Sequence, residues 1–309
     1  MKLAMIFPGQ GSQAVGMLKG YDGLPELDAV RREASGVLGA DFLRVLDEGP
    51  AEQLNLTVNT QPAMVTAGYA AYRAWVALGG RRPAVVAGHS LGEYTALTVA
   101  GALGFKDCLP LVRFRAQAMQ EAVPEGKGAM AAILGLDDEA AKAACAEAGG
   151  EVQAVNFNSP GQVVIAGEAQ AVARAIEICK ARGARRAMPL PVSAPFHSSL
   201  MRPAGEKLSV FLQKMEFNKP TVNLINNVDV KIESDPAKIK DALVRQAASP
   251  VRWVESIQAM IAGGATHIVE CGPGKVLAGL TKRIAKDVSS YALADRALLE
   301  QALMEIGHA

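Results

Sequence analysis

Ser90 lies in Gly88-His89-Ser90-Leu91-Gly92, a fit to the G-x-S-x-G pattern of a nucleophile elbow. The flanking sequence has the context that motif requires. Ala84–Ala87, behind Pro83, is an apolar run long enough for a buried strand and too short for a helix; a helix-forming run from Leu91 to Ala100 follows. A turn this sharp needs one glycine where the backbone bends and another where the new helix meets the sheet. The serine at its tip sits at a helix N-terminus, whose unpaired N–H groups favour developing negative charge. So placed, it can attack a carbonyl while the Leu91 N–H helps to hold the oxyanion. A glycine-flanked serine also serves as an ordinary helix N-cap; strand and helix on the correct sides favour the nucleophile.

A neutral serine hydroxyl needs a general base. The histidines are His89, His197, His267 and His308. His308 is next to the last residue, where chains fray. His267 opens an expected strand and reads as a satisfied core residue. His89 adjoins the serine on a strained turn, where neighbouring side chains diverge. His197 remains, in an irregular loop of the kind that carries catalytic groups on a rigid scaffold. No aspartate or glutamate stands out as a third member, so a Ser–His dyad with a backbone carbonyl orienting the imidazole is expected. Arg113 and Arg115 lie among Leu109, Val112, Ala116 and Met119 at helical spacing. Such an arginine usually lays its stem along the core and its head in water. Buried, it needs an anion, and a substrate carboxylate would be a bidentate partner.

Composition narrows the setting. Half of the 309 residues are hydrophobic and 5% are aromatic, enough for one large domain or one domain with an insert. A net charge of +1 provides no global field for nucleic acid or a membrane. Cys108, Cys145, Cys179 and Cys271 are widely spaced, which reads as reduced buried thiols in a cytoplasmic protein, not a disulfide frame or metal site. The apolar stretch before Pro8 is too short for a secretory segment, and no later run spans a bilayer.

Leu3–Phe7 reads as a central strand. The following Gly9-x-Gly11-x-x-Ala14 is not taken as a dinucleotide fingerprint, because Asp28 and Glu33, where the acidic residue is due, fall in a helix-like stretch. Gly9-Gln10-Gly11 instead presents amide groups at the carboxyl end of a strand, where open α/β sheets bind ligands. A helix is expected from Asn59 to Leu78, another capped by Asp107, then Leu200–Met215, Ile239–Ala247 and Trp253–Ala262, with strands at Val222–Asn226 and Thr266–Glu270. Between them, strands at Ala129–Leu134, Val152–Phe157, Gln162–Ala166 and Ala187–Val192 alternate with helices from Asp137 and over Ala169–Ala181. This β-α-β-β-α-β order is that of a ferredoxin-like unit. Residues 126–194 therefore read as an insert, and 1–125 with 195–309 as the large catalytic domain.

Phe7-Pro8-Gly9-Gln10-Gly11-Ser12-Gln13, Gly88-His89-Ser90-Leu91-Gly92-Glu93, Arg115 with Gln117-Ala118-Met119-Gln120, Asn156-Phe157-Asn158-Ser159-Pro160-Gly161-Gln162, Pro195-Phe196-His197-Ser198, and Gln246 ahead of Ser249-Pro250-Val251-Arg252-Trp253 occur in that order. Together they resemble the malonyl-CoA:acyl-carrier-protein transacylase family of bacterial fatty-acid synthesis, over essentially the whole chain.

The resemblance implies an α/β-hydrolase-like large domain with a parallel sheet and an inserted ferredoxin-like (βαββαβ) small domain. It implies that Ser90 takes the malonyl group from malonyl-CoA and His197 is its base, held by the Gln246 main-chain carbonyl. Gln10 and Leu91 N–H would form the oxyanion hole, Arg115 would pair with the malonyl carboxylate, and Asn158 would line the cleft. The partner is acyl carrier protein, which brings its own phosphopantetheine, so no cofactor or metal is expected. Phe196, bulky and beside His197, would crowd an α-methyl branch. Lys180, Arg182, Arg185 and Arg186 form a basic cluster that reads as a solvated helix end, or else as a carrier-protein contact. Rival readings are a malonyl transferase of polyketide synthesis or of a malonate decarboxylase, a serine thioesterase or hydrolase on the same scaffold, and a non-catalytic acyl-thioester binder.

Overall fold

The computed structural model describes residues 1–192 and 194–307. Ser193, four positions ahead of His197 in the sequence, and His308, expected to fray, lie outside the described residues. The strands are β1 (Leu3–Phe7), β2 (Val85–Gly88), β3 (Gly128–Leu134), β4 (Val152–Ser159), β5 (Gln162–Glu168), β6 (Arg186–Pro189), β7 (Asn223–Ile225), β8 (His267–Cys271) and β9 (Ser289–Leu293). They form a five-stranded sheet in the order β7-β2-β1-β8-β9 and a four-stranded sheet in the order β4-β5-β3-β6.

The five-stranded sheet is parallel throughout. β1 is its centre, and Leu-Ala-Met-Ile-Phe is buried at every position because helices cover both faces. Phe7 of β1 is level with Gly88 of β2, so Pro8-Gly9-Gln10 and His89-Ser90 leave the sheet side by side. Asn226 and Asn227 follow the adjacent end of β7. Carboxyl ends of neighbouring parallel strands thus converge on one crevice. The helix Thr57–Ala77 is buried along most of its length and packs against the helices Gly92–Val99 and Phe105–Glu121.

The antiparallel small sheet has the ferredoxin-like strand order, and its strands lie within 126–194. Period-two alternation gives it two buried faces. Ala131, Ile133 and Ile165 pack under the helices Asp138–Ala148 and Ala169–Ala181. Met130, Val164 and Ala166 point the other way, toward Met119, Phe196 and Met201.

Several boundaries differ from those expected. The helix expected from Asn59 begins at Thr57, and Pro62 lies inside it. Gly104, not Asp107, is the N-cap of Phe105–Glu121; Asp107 sits in the first turn, where a carboxylate suits the helix dipole. The helix expected from Ile239 starts at Pro236, because Asp235 accepts the Ala237 N–H. β6 ends at Pro189 instead of Val192. His267 is half-buried, bonded to the Thr266 hydroxyl and stacked on Tyr291, so it is not a core residue. The helices Pro25–Leu38, Ala40–Glu48, Val276–Ile284 and Arg296–Ile306 are also present, and β9 forms an edge of the five-stranded sheet.

Glu270 near the end of β8 is fully buried. Its Oε2 accepts the Ala278 N–H at 2.8 Å in the first turn of Val276–Ile284, and its Oε1 has no partner. Burial pushes its carboxyl from 4.5 up to about 7. A raised carboxyl pKa makes the unfolded chain release its proton first, so this group's cost is absent below pH 4.5 and complete above about 7. Glu270→Gln should therefore gain stability relative to the native protein as pH rises through that window. Thermal melts of both proteins at pH 4.5 and 8 check this; a pH-independent difference would refute it.

Candidate active site

The elbow is built by backbone contact. A Cβ on Gly88 would fall 1.8 Å from the Gly92 carbonyl carbon, and one on Gly92 would fall 2.0 Å from the Phe7 oxygen. Both positions must be glycine for β1, β2 and the helix Gly92–Val99 to meet. Between them Ser90 takes φ 51°, and His197 across the crevice takes φ 67°. Left-handed backbone at such residues is strained and persists only where the surroundings over-determine it.

Ser90 Oγ lies 2.7 Å from His197 Nε2. His197 Nδ1 lies 3.0 Å from the Gln246 main-chain oxygen. A carbonyl can only accept, so Nδ1 carries the proton and Nε2 is free to take one from Ser90. Burial, reinforced by the nearby Arg115 charge, pushes the His197 pKa from 6.5 down to about 3. The imidazole is neutral at physiological pH.

Arg115 is buried, with its guanidinium over the Tyr94 ring at 5.2 Å. Nη1 donates to Gln61 Oε1 at 3.0 Å; Nη2 donates to Gln246 Oε1 at 3.0 Å and to Ser90 Oγ at 3.2 Å. Nε has no partner. All three acceptors are neutral. The carboxylate that acts on Arg115 is Glu93, whose carboxyl is pushed up to about 7 by burial. Glu93 Oε2 accepts from Gln246 Nε2 at 2.8 Å and from the Asn227 N–H at 3.0 Å.

Ser90, His197, Gln10, Leu91, Arg115, Asn158 and Phe196 line one cavity of about 860 Å³ between the two sheets. Gln246 stands behind His197 and Arg115. Gln10 Nε2 donates to Thr57 Oγ1 at 3.2 Å. Asn158, on β4, accepts from His89 Nε2 at 2.8 Å, which turns the His89 ring away from Ser90. In the basic cluster, Lys180 pairs with Glu177 and Arg182 with Glu147, as on a solvated surface.

Sequence reasoning missed Gln61, Glu93 as a buried acid, and Asn227. Asn227 is fully buried; it accepts the Ser90 N–H at 2.8 Å and donates to the Gly88 oxygen at 2.7 Å, bracing the strained turn on both sides. The available signals were a glutamine beside Pro62 at the start of a largely apolar run, and an asparagine pair just after a parallel strand.

A family model described as "Acyl transferase domain" matches residues 4–303. The chain belongs to the acyl transferase family. Among relatives of this acyl transferase is the malonyl CoA-acyl carrier protein transacylase of Escherichia coli K12, 54% identical over 98% of this chain and 99% of its own. That of Bacillus subtilis is 46% identical over 99% and 97%. The solved acyl-carrier-protein S-malonyltransferase of Burkholderia pseudomallei superposes with TM-score 0.97 at 58% identity, covering 98% of this chain and all of that one. A malonyl-transacylase solved with its type II PKS acyl-carrier protein gives 0.97 at 51% identity over 99% of this chain and 100% of its own.

The neutral imidazole sets a pH test. Phosphonylation of Ser90 by a serine-directed fluorophosphonate should stay level from about pH 8 to about pH 5, below the usual histidine range. An inflection near 6.5 would mean that the imidazole is solvated instead.

Proposed function

We propose that this acyl transferase moves the malonyl group from malonyl-CoA to the phosphopantetheine thiol of acyl carrier protein, supplying fatty-acid elongation. One observation carries the reading: a buried guanidinium with only neutral partners lies 3.2 Å from the nucleophile, in the cavity wall. An unpaired buried cation at that spot calls for an acyl group with its own carboxylate. Relatives of about half identity or more over nearly their full length carry that activity in their names.

Ser90 Oγ attacks the thioester carbonyl and gives its proton to His197 Nε2. Leu91 and Gln10 N–H hold the oxyanion; among the described residues neither is paired with another acceptor. The Ser90 N–H is excluded from that role because Asn227 holds it. The tetrahedral intermediate expels the CoA thiolate, which takes the proton from the imidazolium. The carrier thiol then attacks the malonyl ester, passing its proton to His197, and Ser90 recovers its own as it leaves. Both half-reactions use one site, a ping-pong sequence. The Gln246 carbonyl fixes the imidazole tautomer, and Asn158 lines the entry between the domains.

Serine, imidazole and N–H donors suffice for this chemistry, so neither metal nor cofactor enters it. Malonyl-CoA is a substrate, and phosphopantetheine arrives on the partner. The working compartment is the cytoplasm, a reading supported by the four buried free thiols. Among the described residues, no helix is long and apolar enough to cross a membrane. A carrier from polyketide synthesis is the second reading, favoured by the structural neighbour solved with such a partner.

Intact mass spectrometry should show one malonyl adduct on Ser90 after malonyl-CoA, and its loss on adding holo carrier protein. An adduct lost at the same rate without carrier would mark a hydrolase. Arg115→Ala should slow malonyl transfer by about 2–3 kcal/mol, the scale of a lost charge-assisted bond, while acetyl transfer stays level or rises. An equal fall in both would make Arg115 merely structural. Phe196 lines the cavity beside His197, so methylmalonyl-CoA should acylate Ser90 more slowly than malonyl-CoA. Comparable rates would remove Phe196 from specificity.

A further inference from the structure

A guanidinium forks a carboxylate on one of two edges, Nη1 with Nη2 or Nε with Nη2. Both edges contain Nη2. In Arg115 both Nη2 protons are committed, one to Gln246 Oε1 and the other to Ser90 Oγ. The donors with capacity left are Nε, which has no partner, and the second proton of Nη1, whose other proton goes to Gln61. Those two do not share an edge. A carboxylate can therefore be gripped in bidentate fashion only if Nη2 lets go of one acceptor. Gln246 is fully buried and tied at its other end to Glu93 and the Ser90 carbonyl, so it is the fixed partner. The Ser90 hydroxyl is the one that can be released.

We propose that Arg115 gates the nucleophile: in the empty site its Nη2 occupies a lone pair of Ser90 Oγ, and the free carboxylate of an incoming acyl group takes that donor and releases the oxygen for attack. The proposal rests on the malonyl-transfer reading and deepens it. Arg115 then acts on rate as well as on binding. An acyl group without a carboxylate meets a hydroxyl whose lone pair is held by a cation and whose nucleophilicity is lowered. The neighbouring imidazole responds in the same direction. The Arg115 charge is one of the influences that hold its pKa down, and a paired carboxylate offsets that charge. Proton flow is unchanged: Ser90 still gives its proton to His197 Nε2, and the departing thiolate still receives it.

The carboxylate need not be attached to the acyl group for the gate to open. The test uses the native enzyme with acetyl-CoA, following acetylation of Ser90 by rapid quench and intact mass while sodium formate is titrated against a matched chloride control. Formate should accelerate Ser90 acetylation by about 10-fold or more, the scale of removing one charge-assisted hydrogen bond. Arg115→Ala should acetylate faster than native enzyme without formate and show no response to it. Formate that slows native acetylation or leaves it unchanged overturns the gate, as does an equal response in Arg115→Ala. The native titration stands alone if that variant folds poorly. Malonyl-CoA in parallel separates the two claims: failure to malonylate Ser90 would sink the transfer reading, whereas the gate is decided by the acetyl arm.

Discussion

The site depends on a contact between backbones. Gly88, Gly92 and Phe7 approach so closely that no side chain fits at either glycine. That approach forces the chain between them into a left-handed turn and lifts Ser90 off the sheet into the crevice. Left-handed backbone at a non-glycine residue costs on the order of 1–3 kcal/mol, and the surroundings answer it with fixed hydrogen bonds. Asn227 holds the Ser90 N–H and the Gly88 oxygen, while Gln246 holds the Ser90 oxygen. The hydroxyl is thereby aimed into the crevice, and none of these contacts uses the Leu91 N–H. Position and strain have the same source.

Charge in the crevice is arranged with similar economy. Burial disfavours every ionised form, and the groups respond differently. His197 is driven neutral, the state in which it accepts a proton. Glu93 is pushed toward protonation near neutral pH, so it compensates Arg115 weakly and through Gln246. Arg115 keeps its charge, because even a lowered guanidinium pKa stays far above physiological pH. The outcome is a buried cation beside a neutral imidazole, with no carboxylate among the described residues bonded directly to the cation. On the proposed reading, a substrate carboxylate would complete that arrangement, whereas an uncharged acyl group would leave it incomplete.

The parts of this site legible in the sequence are those with a local signature. Ser90 announces itself through two glycines at fixed offsets between an apolar run and a helix. His197 emerged by elimination among few histidines, and the ferredoxin-like unit from the alternation of short strands and helices. Residues whose role depends on distant partners stayed hidden. Gln61 is in a helix far along the chain from Arg115, and Asn227 and Glu93 are joined only by the fold. Arg115 was ambiguous because an arginine at an apolar helical position is compatible with both a solvated head and a buried one, and only tertiary packing decides between them. β9 escaped because Ser289-Ser290-Tyr291-Ala292-Leu293 is a half-exposed edge strand without a strong apolar run. The start at Pro236 was misplaced because its cap, Asp235, lies outside the periodic stretch, and the start at Thr57 because the cap-type Asn59 lies inside a helix that begins without a side-chain cap.

The small sheet is also part of the machinery, through a seam at its edge. Strand β4 pairs with the segment after Gln246: the Phe157 N–H donates to the Val251 oxygen at 3.0 Å, and the Val251 N–H to the Val155 oxygen at 2.8 Å. That segment follows directly on Gln246, whose carbonyl orients His197, and leads into Trp253, whose ring packs against His89 at 5.4 Å. One residue along β4, Asn158 takes the His89 Nε2 proton. The neighbour of the nucleophile, the anchor of the base and the edge of the insert are thus held in one hydrogen-bonded line. A displacement of the insert along this line would reach the imidazole through Val251 and Gln246, and the elbow through Asn158 and His89. The small sheet lines one wall of the cavity through Met130, Ala132, Asn156, Asn158 and Val164. It has its own hydrophobic core, yet it is joined to the rest of the chain by backbone hydrogen bonds in addition to side-chain packing.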